Sequence, residues 1–457
     1  MKLEKDKVLF VGFMLFSMFF GAGNLIFPPF LGQNAGNQTL PSVIGFLITA
    51  VILPVLAVMV VVQTEGLDVL TSRVGKKFSV IFTVLLYFAI GPGLAIPRAA
   101  SVPFEMSIAP YLSENSNTLM LMIAYSVIFF ALSGWLSLNP NKLVNRLGSI
   151  LTPVLIVLLV FLFGAFIFVG EKAVAAPQAA YEAAPFLTGF CEGYLTMDAI
   201  AGLVFASVVA KSFANLGIND KKESLKYSST AGILAGAILA IIYIMLTYMG
   251  MQSSGVYELG ANGAVALRQI VYQVFGEFGA IILAAIFALA CLTTCVGLIT
   301  SVSEYFSKLT GATYKSMVWM ITLFSLVVCN YGLTTILNIS VPILNAIYPS
   351  VSVIIVMGLF DDKIKNPFIY PVTIGATAVI SVVYALEGVV PLGSVGLGHD
   401  VPIAHGEISA VGAEEQGESL FVLDLLHRGD VEQFEIHQKY DLLLGCAARQ
   451  LLIQLVE

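Results

Sequence analysis

Residues 19–29 read Phe-Phe-Gly-Ala-Gly-Asn-Leu-Ile-Phe-Pro-Pro and lie inside a long apolar segment, 8–33. A bilayer-spanning helix needs about 20 mostly apolar residues, so this segment predicts one. Because glycine and proline destabilise a helix interior, we expect a break near residues 21–24, at mid-depth. Backbone groups freed there are tolerated only where they line a cavity or meet a ligand. The segment therefore predicts a broken helix at a binding site; a glycine-rich packing surface between helices is the alternative.

The backbone groups freed at such a break have a defined chemistry. Amide N–H groups at the start of a half-helix suit a carboxylate, and freed carbonyl oxygens suit a small cation. We therefore predict that a substrate binds at the four residues of the break, Gly21, Ala22, Gly23 and Asn24.

The composition of the whole chain is that of a polytopic membrane protein. Of the 457 residues, 58% are hydrophobic and 11% are charged, against roughly 45–50% and 25% in soluble domains. Because backbone polar groups must be satisfied inside the bilayer, and the alternation of barrel strands is missing from the sequence, we predict an all-α bundle. The apolar windows are 8–33, 41–64, 78–101, 118–138, 147–170, 188–212, 227–250, 279–303, 316–331, 334–359 and 367–386.

Charge divides the chain into two parts. Residues 1–387 carry 19 Lys and Arg against 18 Asp and Glu, whereas residues 388–457 carry 3 against 11 and hold all 4 histidines. We assign the first part to a transmembrane body of about 11 spans and the second to an atypical acidic, His-containing C-terminal tail. Neither part has the basic stripe of a nucleic-acid-binding protein. The partner that the composition predicts is the lipid bilayer, and no nucleic-acid partner is expected.

The basic residues of the body also predict its orientation. If the N-terminus is cytoplasmic, 16 of the 19 basic residues fall in inner segments, as the positive-inside rule requires. The same distribution supports the number of spans, because one missed helix would exchange the inner and outer sides of every later loop and so misplace its basic residues.

A second break is predicted in the sixth window, 188–212. Gly193 and Tyr194 are placed to interrupt this helix, and Thr196 supplies a hydroxyl; with Asp198 they are predicted to bind the substrate. Asp198 is an ionisable group near mid-bilayer, which must face a cavity or a partner. It is either a counter-ion for an ammonium group or a coupling cation, or a structural carboxylate that is paired or held protonated.

Polar residues in two other windows leave alternatives open. Thr293 and Thr294 bring adjacent hydroxyls to mid-membrane; such hydroxyls commonly bond to their own backbone, whereas sodium needs a cage of oxygen atoms. Arg98 and Glu105 are seven residues apart and share a helix face, which predicts a structural pair, with a gate as the alternative.

Two motifs make the chain recognisable. Residues 19–29 resemble the first-helix signature of bacterial branched-chain amino acid:cation symporters, the system II carriers for leucine, isoleucine and valine. Glu192-Gly-Tyr-Leu-Thr-Met-Asp-Ala199 is similar to the sixth-helix motif of that family. The resemblance implies the five-plus-five inverted-repeat fold of sodium-coupled transporters, with helices 1 and 6 broken. The repeats are then 8–170 and 188–359, and 367–386 is an extra helix.

The resemblance also implies a cation site. In this fold, one carbonyl and two hydroxyls of the eighth helix meet carbonyls from the break in the first helix. Carried onto this chain, the carbonyl of Ala290 and the hydroxyls of Thr293 and Thr294 meet the carbonyls of Ser17 and Phe20, and Na+ is the implied coupling ion.

The implied function is sodium-coupled symport of leucine, isoleucine and valine into a bacterial cell across its inner membrane. A proton-coupled or other-cation amino acid permease of the same fold is the first alternative. A channel is less favoured because the sequence has no repeated filter-like loop. Enzymatic activity is not expected, since the sequence has neither a His-Glu-x-x-His zinc motif nor a Gly-x-Ser-x-Gly elbow.

The end of the chain departs from the family pattern. Members normally have twelve spans and a short inner C-terminus, whereas here a family-like lead-in, residues 392–398, gives way to the acidic tail. A frameshifted or divergent end would explain the change in composition. Because helices 11 and 12 lie outside the ten-helix core, a changed end does not by itself remove the transport site, but it bears on folding and on delivery to the membrane.

Overall fold

The computed structural model describes residues 5–112, 117–139, 149–260 and 263–387. Within these ranges the regular secondary structure consists of helices, and no strand occurs. The acidic tail and the first residues of the window 147–170 lie outside the described residues. The α-helices are α1 (Lys5–Phe19), α2 (Ala22–Ala35), α3 (Thr39–Leu47), α4 (Leu53–Gln63), α5 (Leu67–Ser72), α6 (Lys76–Phe88), α7 (Ala95–Ser107), α8 (Thr118–Ser137), α9 (Thr152–Val169), α10 (Ala179–Ala183), α11 (Pro185–Glu192), α12 (Asp198–Asn215), α13 (Lys221–Ser253), α14 (Gly263–Phe275), α15 (Phe278–Thr310), α16 (Tyr314–Cys329), α17 (Leu333–Leu359) and α18 (Ile369–Glu387).

Every predicted window lies on one or two of these helices. Over the described ranges, eight helical stretches are long and apolar enough to cross a membrane. This number is below eleven because α2 to α4 form one continuous stretch, Ala22–Gln63, separate from α1, and because the apolar helices Tyr314–Cys329 and Ile369–Val383 are shorter. The eleven crossings stay a prediction.

Both predicted helix breaks are confirmed. In the first window α1 ends at Phe19 and α2 begins at Ala22, with Gly21 in an extended conformation between them. Pro28 and Pro29 lie inside α2 rather than at the break. In the sixth window α11 ends at Glu192, and a 3-10 turn follows before α12 begins.

A third interruption was not predicted. A π-helical turn, Ala89–Gly93, joins α6 to α7, and Gly91 within it has non-helical dihedrals of φ −93° and ψ −127°. Another π-turn, Ile48–Ile52, joins α3 to α4. Such turns are frequent at functional sites because they free backbone groups and redirect side chains. The one in the third window precedes Arg98 by less than two helical turns.

The helices form two groups that meet around the breaks. In one group α2 lies along α13, α3 along α11, and α4 along α12. In the other, α7 and α8 contact α15, and α16 contacts α8. The groups meet where α1 contacts α15 and α4 contacts α17. The breaks in the first and sixth windows therefore lie against the unbroken helix of the eighth window.

Three ion pairs join helix ends and the loops beside them, all in segments that are inner ones if the N-terminus is cytoplasmic. Arg73 pairs with Asp361 at 2.8 Å, and Lys211 pairs with Glu304 at 2.6 Å. A third pair, Lys221 with Glu65 at 2.7 Å, is exposed, and the lysine holds the pKa of the Glu65 carboxyl below its usual value. Exposed pairs add little stability, and the predicted orientation in the membrane stays a prediction.

Candidate functional site

The two helix breaks border one small cavity, of about 30 Å³. Its lining includes Gly21, Ala22, Gly23 and Asn24 from the first break and Thr196 and Asp198 from the second. The cavity is closed on its other sides by residues of the third and eighth windows, among them Arg98 and Thr294. Six of the eight predicted substrate-binding residues are thus brought together around a single space.

Asn24 holds the two breaks together. Its side-chain oxygen accepts a hydrogen bond from the Gly21 N–H at 3.0 Å, which fixes the backbone at the start of α2. Its Nδ2 group donates to Asp198 Oδ2 at 2.6 Å and also to the hydroxyl of Tyr243. One side chain therefore links the first, sixth and seventh windows.

Asp198 is the first residue of α12 and is 2% exposed. Its Oδ2 accepts hydrogen bonds from Asn24 and, at 2.9 Å, from the Tyr243 hydroxyl. A buried carboxylate needs such donors, because an unpaired charge at this depth is costly. Asp198 therefore has the protein partners of a structural carboxylate and also lines the cavity, and its role as a counter-ion stays a prediction.

Tyr243 is a member of the site that sequence reasoning missed. It is fully buried in α13 and contacts both polar residues of the network. The available signal was a single phenol within an apolar stretch, 238–246, whose hydroxyl must find a partner inside the membrane.

The second break is built around a left-handed residue. Met197 has φ +66°, which is unusual for a residue with a side chain. Thr196 caps the preceding turn through a 2.9 Å hydrogen bond from its hydroxyl to the Gly193 carbonyl. The Ala199 N–H, in the first turn of α12, donates to the Tyr348 hydroxyl at 3.2 Å. The start of α12 is thus oriented toward the cavity.

Gly193 and Tyr194 lie in the turn but not in the cavity lining. The Tyr194 ring stacks on Tyr348 with centroids 4.6 Å apart. Gly193 lies against α3, where an added Cβ would come within 2.9 Å of the Phe46 carbonyl oxygen. Direct contact of these two residues with the substrate stays a prediction. In this conformation both pack against neighbouring helices beside the break.

Arg98 lies in the cavity lining, whereas the sequence predicted that it pairs with Glu105. It is 5% exposed and lines the cavity, and its Nη1 donates to the Leu195 carbonyl at 3.2 Å. Glu105 instead accepts a hydrogen bond from the Leu333 N–H at 2.8 Å, at the start of α17. The predicted Arg98–Glu105 pair is therefore wrong, because a helix N-terminus supplies the carboxylate with a nearer donor.

The predicted cation ligands lie on adjacent helices. Thr294 donates a hydrogen bond to the Ser17 carbonyl at 3.2 Å, across the contact between α15 and α1. Thr293 donates to the Ala290 carbonyl at 3.0 Å, within α15. Phe20 follows the end of α1, and its N–H donates to the Phe16 carbonyl at 2.8 Å. Thr293 thus bonds to the backbone of its own helix, the alternative that the sequence left open, whereas Thr294 bonds across to α1; a cation site at these residues stays a prediction.

The fold is shared with a known membrane transporter. A variant of the manganese transporter of Eremococcus coleocola has a similar structure, with a TM-score of 0.54 and 15% identity over 97% of this chain and 96% of that one. With the two broken helices, this likeness defines an all-α polytopic membrane protein of the five-plus-five inverted-repeat transporter fold.

Sequence comparisons give the family. The family model described as branched-chain amino acid transport protein matches residues 4–398, so the chain belongs to this family. The branched-chain amino acid transport system 2 carrier protein of Pseudomonas aeruginosa is 41% identical over 79% of this chain and 82% of its own length. The branched-chain amino acid permease BrnQ of Bacillus subtilis is 36% identical over 89% and 96%. These relatives are carriers, and the match ends where the predicted lead-in meets the acidic tail.

Proposed function

We propose that the protein carries leucine, isoleucine and valine into the cell by sodium-coupled symport. The observation that supports this most is the cavity itself, which is bordered by the starts of two half-helices, a buried carboxylate and a buried guanidinium. An α-amino acid is a zwitterion, so it needs both charges matched at one place. Family membership supports the branched-chain substrates.

The apolar part of the lining fits a branched aliphatic side chain. Ile90, Phe205 and Leu298 line the cavity beside the charged residues. Such a surface rewards burial of methyl groups but discriminates weakly, since one methylene is worth only about 1–3 kcal/mol. We therefore expect leucine, isoleucine and valine to compete for the same site.

The observed conformation is too tight to hold the substrate. A cavity of about 30 Å³ has room for roughly one water molecule, whereas small-molecule pockets measure roughly 300–1,000 Å³. Binding therefore requires the group that contains α2 and α12 to move relative to α7 and α15. Such a movement is what alternating access requires in this fold.

Coupling follows from residues that the two ligands share. The last turn of α1 supplies Ser17 to the proposed cation site, and Gly21–Asn24 directly after it line the substrate cavity. Thr294 contacts Ser17 and also lines the cavity. A cation that holds α1 against α15 would stabilise the cavity wall, and substrate binding would in turn strengthen cation binding, as linkage requires.

Uptake of labelled leucine into proteoliposomes tests the function. We expect accumulation when an inward sodium gradient is imposed, competition by isoleucine and valine, and little competition by alanine. If uptake needs only a pH gradient, the coupling ion is a proton and not sodium. The buried carboxylate of Asp198 is the group that would then carry the proton. Absence of uptake of any branched-chain amino acid would overturn the proposal.

A substitution at Thr294 tests the sodium site separately. Thr294→Ala removes the hydroxyl that meets the Ser17 carbonyl, so the sodium concentration for half-maximal uptake should rise about tenfold or more, in line with the loss of one contact to a charged group. Thr294→Ser keeps the hydroxyl and serves as the matched control. The ratio of leucine to valine uptake at saturating sodium should not change. Equal sodium dependence in the two variants would remove Thr294 from the site.

A further inference from the structure

We infer that Arg98 binds the carboxylate of the transported amino acid and so makes the site specific for substrates with a free carboxyl group. This rests on the proposed function. It assigns a specificity-determining contact to the third window, in addition to the two broken helices.

The first argument is that no acidic side chain contacts Arg98 directly, although the charge of Asp198 acts on it from across the cavity. A guanidinium has five N–H donors and stays charged in proteins. In the described part of the chain, the hydrogen bond from the Arg98 side chain goes to the Leu195 carbonyl, and no carboxylate lies within 4.0 Å of its nitrogens. A charge buried to this extent is normally paired, because desolvation is costly. A carboxylate ligand would supply the missing partner.

The second argument is where the guanidinium points. It lines the cavity, and a Cβ added at Gly23 would lie 3.0 Å from Arg98 Nη2. Gly23 is in the first turn of α2, so the guanidinium and the start of this half-helix converge on one place. Backbone N–H groups and the helix dipole favour an anion at a helix N-terminus. Both features therefore favour negative charge at the same point.

The third argument is the division of charge in the cavity. Asp198 begins α12 and is held by Asn24 and Tyr243, whereas Arg98 is held by Leu195 and lies 5.9 Å from the centre of the Phe27 ring. The two charges are thus kept on separate partners. A zwitterion placed between them would have its ammonium group at Asp198 and its carboxylate at Arg98.

The test compares leucine with leucinamide, which keeps the side chain and the ammonium group but has no carboxylate. Dissociation constants are measured by thermal-shift titration of the purified full-length protein at pH 6.5 with sodium, where both amines are protonated. We expect the wild type to prefer leucine by about 10- to 100-fold, the range for hydrogen bonds to a charged group.

Arg98→Gln should reduce this preference to within about threefold by weakening leucine and sparing leucinamide. Arg98→Lys keeps the charge but loses the planar fork, so an intermediate preference is expected, and this variant carries the test if Arg98→Gln does not fold. Arg73→Gln is the matched control. Arg73 is an exposed arginine that pairs with Asp361 away from the cavity, so this variant should keep the wild-type preference.

Three results would count against the inference. If Arg98→Gln weakens both ligands equally, the residue only maintains the structure. If the wild type binds leucine and leucinamide equally well, Arg98 does not bind the substrate carboxylate, although the proposed transport of leucine would still stand. If the wild type neither binds nor transports leucine, the proposed function fails and the inference with it.

Discussion

Asn24→Ala is expected to lower leucine uptake by roughly 10- to 150-fold, the equivalent of about 1.5–3 kcal/mol for a hydrogen bond to a charged group. The Asn24 amide donates to Asp198 at 2.6 Å and accepts from the Gly21 N–H at 3.0 Å. Its removal leaves a buried carboxylate with one donor fewer and releases the backbone at the start of α2. Both breaks lose their alignment at once, so transport should fall more than protein abundance does.

A double-mutant cycle separates this network from general damage. Tyr243→Phe removes one donor to Asp198 and keeps the ring, so we expect a smaller loss, of about 3- to 30-fold. Because Asn24, Tyr243 and Asp198 contact one another, the double variant should lose less than the product of the two single losses. Initial rates are measured in proteoliposomes with equal amounts of folded protein. Strict additivity of the two effects would contradict a shared network.

The charge at position 24 gives a further control. Asn24→Asp is nearly isosteric, but it puts a carboxylate within hydrogen-bonding distance of Asp198 and removes the amide donor. Two carboxylates so close cannot both stay charged at ordinary pH. The variant should therefore transport no better than Asn24→Ala, despite keeping the size of the side chain. Activity near the wild type would show that the Asn24 amide is not needed as a donor.

The sequence predicted the breaks because their causes are local. Glycine at 21 and 23 cannot favour a continuous helix in the membrane, and the turn at 193–196 has a glycine and a threonine that caps it. Asp198 was predictable for a similar reason, since a carboxylate at mid-membrane must face a cavity or a partner. These inferences needed only residue type and depth.

Partners across the fold were not predictable in the same way. Arg98 and Glu105 share a face of α7, but Arg98 donates to the Leu195 carbonyl and Glu105 accepts from the Leu333 N–H. Tyr243 meets Asp198 from 45 residues away along the chain, and Asn24 meets it from 174. Spacing along one helix carries no information about such contacts, so the position of Arg98 in the cavity lining could not be predicted from it.

Close approach between helices was only partly visible in the sequence. The glycine-rich first window was read as a break, with a packing surface as the alternative, and the structure contains both. Gly21 and Gly23 border the cavity, whereas Gly32 lies against α13, where an added Cβ would come within 2.7 Å of the Met251 nitrogen. The same segment thus borders the cavity at its break and packs against α13 further along α2.

Gly250 of α13 makes the reciprocal close contact with α2, and its substitution is the second change for which we expect a large effect. Gly250→Ala, in α13, should destabilise the folded protein by about 1–3 kcal/mol, the usual cost of overpacking. An added Cβ would lie 2.7 Å from the Pro29 carbonyl carbon and 2.8 Å from its Cα. Both are backbone atoms of α2, so no side chain can move aside. We expect a lower Tm in detergent and a loss of leucine uptake, because α2 also carries Gly23 and Asn24.

Gly164→Ala provides the matched control for this prediction. Gly164 lies inside α9, and nothing approaches within 4 Å of an added Cβ. Alanine favours a helix interior over glycine by about 1 kcal/mol, so Gly164→Ala should raise Tm or leave it unchanged, with normal uptake. Gly250→Ala should therefore lower Tm, whereas Gly164→Ala should not. If Gly250→Ala raised Tm as Gly164→Ala does, α2 and α13 would not be in close contact, and the position of Asn24 beside Asp198 would need another explanation.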